Sequence, residues 1–242
     1  MQTITYKISQ DIFSKEPNFK RAVLVFRNVI NTETSEEVWE LFKQAVTAVK
    51  QTVTPETITE QPQIAAWRSA FKSMGVNPTN DKPAIEALLR RVVNNPEGFK
   101  PINLAVDLGN VCSLKYMMPI GVHPIANDSK NIELRLATGE ETYTDFSGTK
   151  TEKIPQGEIV FADGDAVLTR KWVWRQSRQS IIDVSTDNFF INLDFILPKD
   201  DREIKIIVEE VGNIFKKYFL ESPGTFLLTQ SNPFIPNLMS NE

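Results

Sequence analysis

The sequence contains a single cysteine, so no disulfide can form within the chain, and a single histidine, so a zinc site built from cysteine and histidine cannot be completed. Long hydrophobic runs are absent too. No stretch approaches the roughly 18 apolar residues of a membrane-spanning helix, and the polar segment from Met1 to Gln10 has neither the basic nor the apolar region of an export signal. The expectation is a cytoplasmic protein with no membrane partner. Glycine (10) and proline (14) are too few among 242 residues for a collagen-like or low-complexity chain. Excess positive charge is also missing: the net charge is −4, so any nucleic acid must be held by a local patch. Neither G-x-x-x-x-G-K-[ST] nor G-x-G-x-x-G occurs, and there is no G-x-S-x-G or H-E-x-x-H. No cofactor and no metal are implied.

What is present is a hydrophobic content of 41%, enough for a chain of this length to bury about seven tenths of its surface. No linker divides it, so residues 1–242 are read as one domain. Alternating or continuous apolar runs predict strands over Thr3–Ile8 and Ala22–Ile30. A capping box at Thr34 and Glu37 opens a helix carrying Val38, Phe42, Val46 and Val49. Further helices are predicted over Gln63–Met74, Pro83–Asn94 and Ile102–Tyr116, followed by an irregular Met-Pro-Ile-Gly-Val-His-Pro segment. The second half turns to strands at Ile132–Leu136, Glu158–Ala162, Ala166–Trp174 and Phe189–Ile196, and a last amphipathic helix spans Asp201–Phe219. Helices that precede strands in blocks indicate an α+β fold, with helices packed on antiparallel or mixed β-sheets.

Two constellations carry chemistry. In Arg170-Lys171-Trp172-Val173-Trp174-Arg175-Gln176-Ser177-Arg178 cations and indoles occur without an acid. On a strand, Arg170, Trp172, Trp174, Gln176 and Arg178 would share a face, an aromatic floor edged by donors that suits a base or a phosphate. The alternative is that both tryptophans fill the core. The second constellation is the helix with Asn103, Asp107 and Asn110 along one stripe, running into Gly121 and His123. Such a stripe is either a solvated face or, with the glycine beside it, one wall of a ligand site. Cys112 and His123 are the only thiol and imidazole; a lone cysteine on an apolar helix face is read as a small hydrophobe. Arg90-Arg91 is read as a solvated helix edge.

Trp67-Arg68, Phe71-Lys72, Gly75, Glu86 to Arg91, Pro101-Ile-Asn103, Val106-Asp107, Asn110, Ser113-Leu114, Pro119-Ile-Gly121, Leu134-Arg135, Gly139-Glu140, Gly157-Glu158 and Trp172 to Ser177 resemble, in order and spacing, the B3/B4 domain. That domain occurs in the β subunit of phenylalanyl-tRNA synthetase and as free-standing proteins, and the resemblance spans about Pro62 to Leu197. It implies an α+β fold in which residues before and after that span are additions. In the synthetase the domain is the editing module, which removes tyrosine from the phenylalanine tRNA without a metal. The implied substrate-binding residues here are Asn110, Gly121, His123, Trp172, Trp174, Arg175, Gln176 and Asn192, with Arg175 and Arg178 on RNA. Asn110 keeps the family's pocket asparagine. Gly109 replaces its threonine, Gly121 its histidine and Asn192 its late-strand acid, so tyrosine specificity is not implied.

The resemblance points to a tRNA- or aminoacyl-tRNA-binding protein that deacylates misacylated tRNA in trans. The alternatives are a non-catalytic binding module for a small-molecule amino acid or nucleoside, and an interaction protein whose tryptophans are core.

Overall fold

The computed structural model describes residues 3–240; Met1 and Gln2, the start of the polar N-terminal segment, lie outside it. The elements, in chain order, are β1 (Thr5–Ile8), α1 (Gln10–Lys15), β2 (Lys20–Phe26), α2 (Glu36–Thr52), α3 (Pro62–Ser73), α4 (Ala84–Asn94) and α5 (Leu104–Tyr116). There follow β3 (Ile120–Pro124), β4 (Asn131–Leu136), β5 (Thr142–Thr144), β6 (Thr151–Lys153), β7 (Ile159–Asp163), β8 (Ala166–Arg170) and β9 (Arg175–Gln176). Strand β10 (Phe189–Phe195), α6 (Asp201–Phe219), β11 (Gly224–Leu228) and β12 (Phe234–Ile235) complete the described chain. The fold is α+β, with two sheets. The larger runs β12-β1-β4-β7-β8-β5-β6 with β9 on β8, and is mixed because β1 pairs β4, and β5 pairs β8, in parallel. The smaller, β11-β2-β10-β3, is antiparallel throughout.

Alternation along β2 and β10 divides the interior. Ala22, Leu24 and Phe26, with Phe189, Ile191 and Leu193, pack against the buried faces of α5 and α6. Val23, Val25 and Phe190 join the other layer, shared with β1, β4, β7 and helices α2 to α4. The small sheet is therefore covered on both faces, and every residue of β10 is buried. Strands buried on both sides need nearly continuous apolar sequence, so the polar residues that do occur in β2 and β10 stand out.

Several sequence expectations are corrected. Helix α2 is capped by Ser35, whose hydroxyl accepts from the Val38 amide, while Thr34 turns its hydroxyl to Asp107. The second strand ends at Phe26, because Asn28 takes a left-handed conformation (φ 52°), and Ile30 is exposed. Helix α5 begins at Leu104, since the Asn103 side chain caps it by accepting from the Val106 amide. The segment read as irregular after α5 contains β3, recruited by pairing to β10. The proline-bearing tail supplies β11 and β12.

Candidate functional site

The face of the small sheet that turns toward the large one carries Arg21 of β2 and Asn192 and Asp194 of β10, because these positions alternate with the residues under α5 and α6. Register sets Gly121 of β3 opposite Asn192, and His123 opposite Phe190. Phe161 of β7 and Thr169 of β8 stand across the gap. Helix α5 adds Asn110 and Ser113, α4 adds Ile85 and Leu88, and the turn between β8 and β9 adds Trp172, Val173 and Trp174. These residues enclose a cavity of about 220 Å³, smaller than the roughly 300 Å³ at which pockets for drug-sized ligands begin.

Seven of the eight substrate-binding candidates line this one cavity: Asn110, Gly121, His123, Trp172, Trp174, Gln176 and Asn192. Arg175 and Arg178 do not. Both are exposed; the Arg175 guanidinium lies 4.7 Å from the Trp174 ring centre and Arg178 lies against Gly148.

The single ribbon face expected for residues 170–178 does not form. Strand β8 stops at Arg170, and Lys171 and Trp172 both adopt positive φ (49° and 66°), reversing the chain so that β9 returns along β8. Trp172 thereby drops into the core, edge-on to Phe19 and Trp67 with ring centres 4.9 and 5.2 Å away, while Trp174 stays half-buried. Of the stretch's cations, Arg170 is taken by Glu152 and Glu158 and Lys171 by Asp81; Arg175 and Arg178 form no ion pair among the described residues. The stripe on α5 is not solvated either. Asn103 caps the helix and Asp107 is buried, accepting from the Ile102 amide, which leaves Asn110 facing the cavity. Arg90 pairs with buried Glu86, and Arg91 lies over Phe99.

Gly121 is required by a close approach rather than by a bend. A Cβ there would come within 2.7 Å of His123 Nε2. The imidazole is buried between Phe190, stacked at 5.2 Å, and Phe161, edge-on at 5.2 Å. Its Nδ1 lies 2.6 Å from Ser180 Oγ and 3.3 Å from Gln176 Nε2, which also donates to the Val122 carbonyl at 2.9 Å. Burial, with the Arg21 charge adding to it, pushes the His123 pKa down to about 3, so the ring is neutral. Cys112 belongs to the apolar layer under the small sheet and lines no part of the cavity; burial pushes its thiol up to about 12. A thiolate–imidazole pair is thus not assembled.

The residues that sequence reading missed form the cavity's polar support. Arg21 grips both oxygens of Asp194, at 2.5 and 2.7 Å, and donates through Nη1 to the Tyr6 hydroxyl at 3.0 Å. Tyr6 in turn donates to Asn192 Oδ1 at 2.8 Å. All four side chains are buried. Burial works against the guanidinium charge, yet Asp194 and Tyr6 outweigh it and raise the Arg21 pKa; burial likewise raises that of Tyr6. The available signal was a charged residue inside an otherwise apolar strand, in Arg21-Ala-Val-Leu-Val-Phe26 and again in Phe189-Phe-Ile-Asn-Leu-Asp-Phe195. Thr169 also lines the cavity and was not singled out.

Residues 66–217 match the B3/4 domain, well over half of the chain. The chain belongs to the B3/4 domain family. The phenylalanine–tRNA ligase β subunit of Shewanella oneidensis is 27% identical over 155 residues, which cover 62% of this chain and 19% of the ligase subunit. The B3/4 chain thus spans about a fifth of the length of that curated relative. Among solved structures, an N-terminal fragment of the phenylalanyl-tRNA synthetase β subunit from Pyrococcus horikoshii aligns over 93% of this chain and 50% of the fragment, with a TM-score of 0.42 and 8% identity. The B3/4 match begins after β1 and β2 and takes in every other element that lines the cavity; Arg21, and Tyr6 behind it, come from outside it. No described helix is long and apolar enough to cross a membrane.

Proposed function

We propose that this chain binds the aminoacyl end of a tRNA in the cavity between its two sheets and hydrolyses a misplaced aminoacyl ester there, acting in trans. The observation that carries the reading is the convergence of Asn110, Gly121, Trp174 and Asn192, from α5, β3, the β8–β9 turn and β10, on one small, partly open cavity. The bound residue packs against Trp174, the Asn110 amide and the Gly121 backbone hold the ester, and Arg175 and Arg178 meet phosphate outside the cavity. No thiolate or charged imidazole is available as a nucleophile or acid, so rate acceleration rests on a positioned water and preorganised N–H groups. The relationship to a tRNA ligase subunit and the edge-lying unpaired arginines support the substrate class. The test is release of radiolabelled amino acid from a panel of misacylated tRNAs: turnover above the spontaneous rate for at least one is expected, and none for any discards the catalytic half.

A second reading, binding without turnover, is favoured by the occupied state of the bases. His123 Nδ1 is engaged by Ser180 and Gln176, and Asp194 is held by Arg21. Calorimetry against amino acids and nucleosides separates the two, since this reading requires heat without hydrolysis.

A further inference from the structure

Strands β5 and β6 pair as a hairpin, and its tip, from Asp145 to Lys150, is closed by its own acid. The Asp145 carboxylate accepts from the Ser147 hydroxyl at 2.9 Å and from the Thr149 and Lys150 amides at 3.0 and 3.2 Å, while the Asp145 carbonyl accepts from the Gly148 amide at 2.9 Å. The closed loop turns Phe146 outward, and the ring is 67% exposed. It is the only exposed large hydrophobic side chain between Ile102 and Val184, and Thr144, Asp145, Ser147 and Thr149 around it in the chain are polar. A lone ring among polar groups is not the contiguous apolar patch on which another protein docks.

Cations reach the ring from the rim of the cavity. The carbonyl of Gln176, a residue that lines the cavity, accepts from the Tyr143 hydroxyl at 3.3 Å, which fastens the hairpin to β9. Arg175 precedes Gln176 and Arg178 follows it by two positions; both are exposed and free of ion pairs among the described residues. Arg178 leaves a turn tied to β8, where the Ser177 amide donates to the Leu168 carbonyl at 2.9 Å, and its side chain lies across the hairpin tip. Gly148 permits this: its φ is 74°, and a Cβ there would come within 2.7 Å of Arg178 Cδ. The carboxylates of the hairpin are already matched, Glu140 by Lys153 and Glu152 by Lys150 and Arg170, so the two arginines leave the tip positive. We infer that this tip receives single-stranded RNA, one base stacking on Phe146 while Arg178, with Arg175 nearer the cavity, meets the neighbouring phosphates. The inference deepens the function proposed above and rests on it: a strand whose end enters the cavity leaves along β9 toward the tip. Every base has a face to stack and a phosphate carries no identity, so the tip adds hold and direction without reading sequence.

The test is fluorescence anisotropy of a labelled single-stranded RNA hexanucleotide ending in CCA, titrated with the full chain at low salt and again as salt rises. Phe146→Ala changes an exposed side chain and should leave urea stability unaltered, yet it should weaken RNA binding at least about fivefold, while Phe146→Tyr, which keeps a ring, should stay within about twofold of wild type. The same oligonucleotide made with abasic ribose throughout should bind wild type and Phe146→Ala alike. Arg178→Ala should reduce the salt slope by about 0.7, the share of one phosphate contact on a single strand, and Phe146→Ala should leave the slope where it is. No binding of the RNA, wild-type affinity in Phe146→Ala, equal losses in Phe146→Ala and Phe146→Tyr, or a slope indifferent to Arg178 would overturn the inference; a ring that serves a protein partner gives the second of these results. RNA binding that depends on Phe146 without deacylation of any tRNA removes only the catalytic reading, whereas deacylation by Phe146→Ala at the wild-type kcat/KM removes only the stacking tip.

Discussion

The neutral, buried His123 makes stability depend on pH from about 6.5 downward, a window that opens above the one in which the carboxylates contribute. It is the only histidine in the chain. An unfolded imidazole titrates near about 6.5, whereas the folded one is held at about 3 by burial and by Arg21. The folded value is the lower one, so below pH 6.5 the unfolded chain binds a proton that the folded chain refuses. Stability is therefore full above that pH and is lost as pH falls toward 3. Between pH 7.0 and 5.5 the loss integrates to about 1 kcal/mol. Carboxylates enter lower: Glu141, for instance, is held at about 2 by the Thr138 amide and Arg135 in spite of its burial, so its contribution begins below its ordinary value of 4.5. Urea unfolding followed by tryptophan fluorescence at several pH values in this window gives the slope by linear extrapolation. Wild type should lose the stated amount, while His123→Asn, whatever its starting stability, should be flat. A wild-type stability that does not change from pH 7.0 to 5.5, or a variant that keeps the slope, would refute the assignment of a neutral buried ring.

Two further substitutions test the packing around the cavity. Gly121→Ala should cost about 1–3 kcal/mol in the same urea assay, because the added methyl meets an imidazole that Phe161 and Phe190 prevent from retreating; a cost near zero would mean the ring is mobile. Asp194→Asn should cost about 3–5 kcal/mol by leaving Arg21 charged and poorly paired, and Arg21→Met with Asp194→Leu should recover most of it, since two apolar groups leave no buried charge behind. A mild single variant would show that the pair carries little of the stability.

Much of the fold was legible because its helices are amphipathic and its strands apolar, and local pattern reports both. Helices α3, α4 and α6 were read to within a residue, and α2 at its start, for that reason. What escaped depends on contacts distant in sequence. Strand β3 follows a helix end with proline on either side, and only its pairing to β10 makes it a strand. Conversely, Trp172 sits in a run with strong strand character, yet two consecutive positive φ values turn it inward, where Phe19 and Trp67 receive the indole. That burial outweighs the local backbone cost, since burying an indole's area contributes about 4–6 kcal/mol against about 2–4 kcal/mol for two left-handed residues. The candidate site was partly visible for a similar reason. Asn110 and Gly121 stand in a recognisable motif, whereas Arg21 and Asp194, 173 positions apart, acquire meaning only once β2 and β10 are adjacent.

The charge distribution decides where affinity for a nucleic acid would have to arise. Arg170 and Lys171 are spent on Glu152, Glu158 and Asp81, leaving Arg175 and Arg178 beside the cavity without ion pairs among the described residues, on a chain whose net charge is −4. Two phosphate contacts on a single strand would give a salt slope of only about −1.4, far from the steep dependence of proteins that bind through the backbone. Phosphate contacts fix register and carry no identity, so a pair of them suffices to guide a chain end but not to hold it. Under the proposed function the larger share must come from the group that enters the cavity, where a hydrogen bond shielded from bulk water weighs more than at the surface. If the proposed function holds, recognition by the terminal group, with the arginines serving as guides, is the division of labour that an acidic protein with a partly open, mainly apolar cavity can sustain.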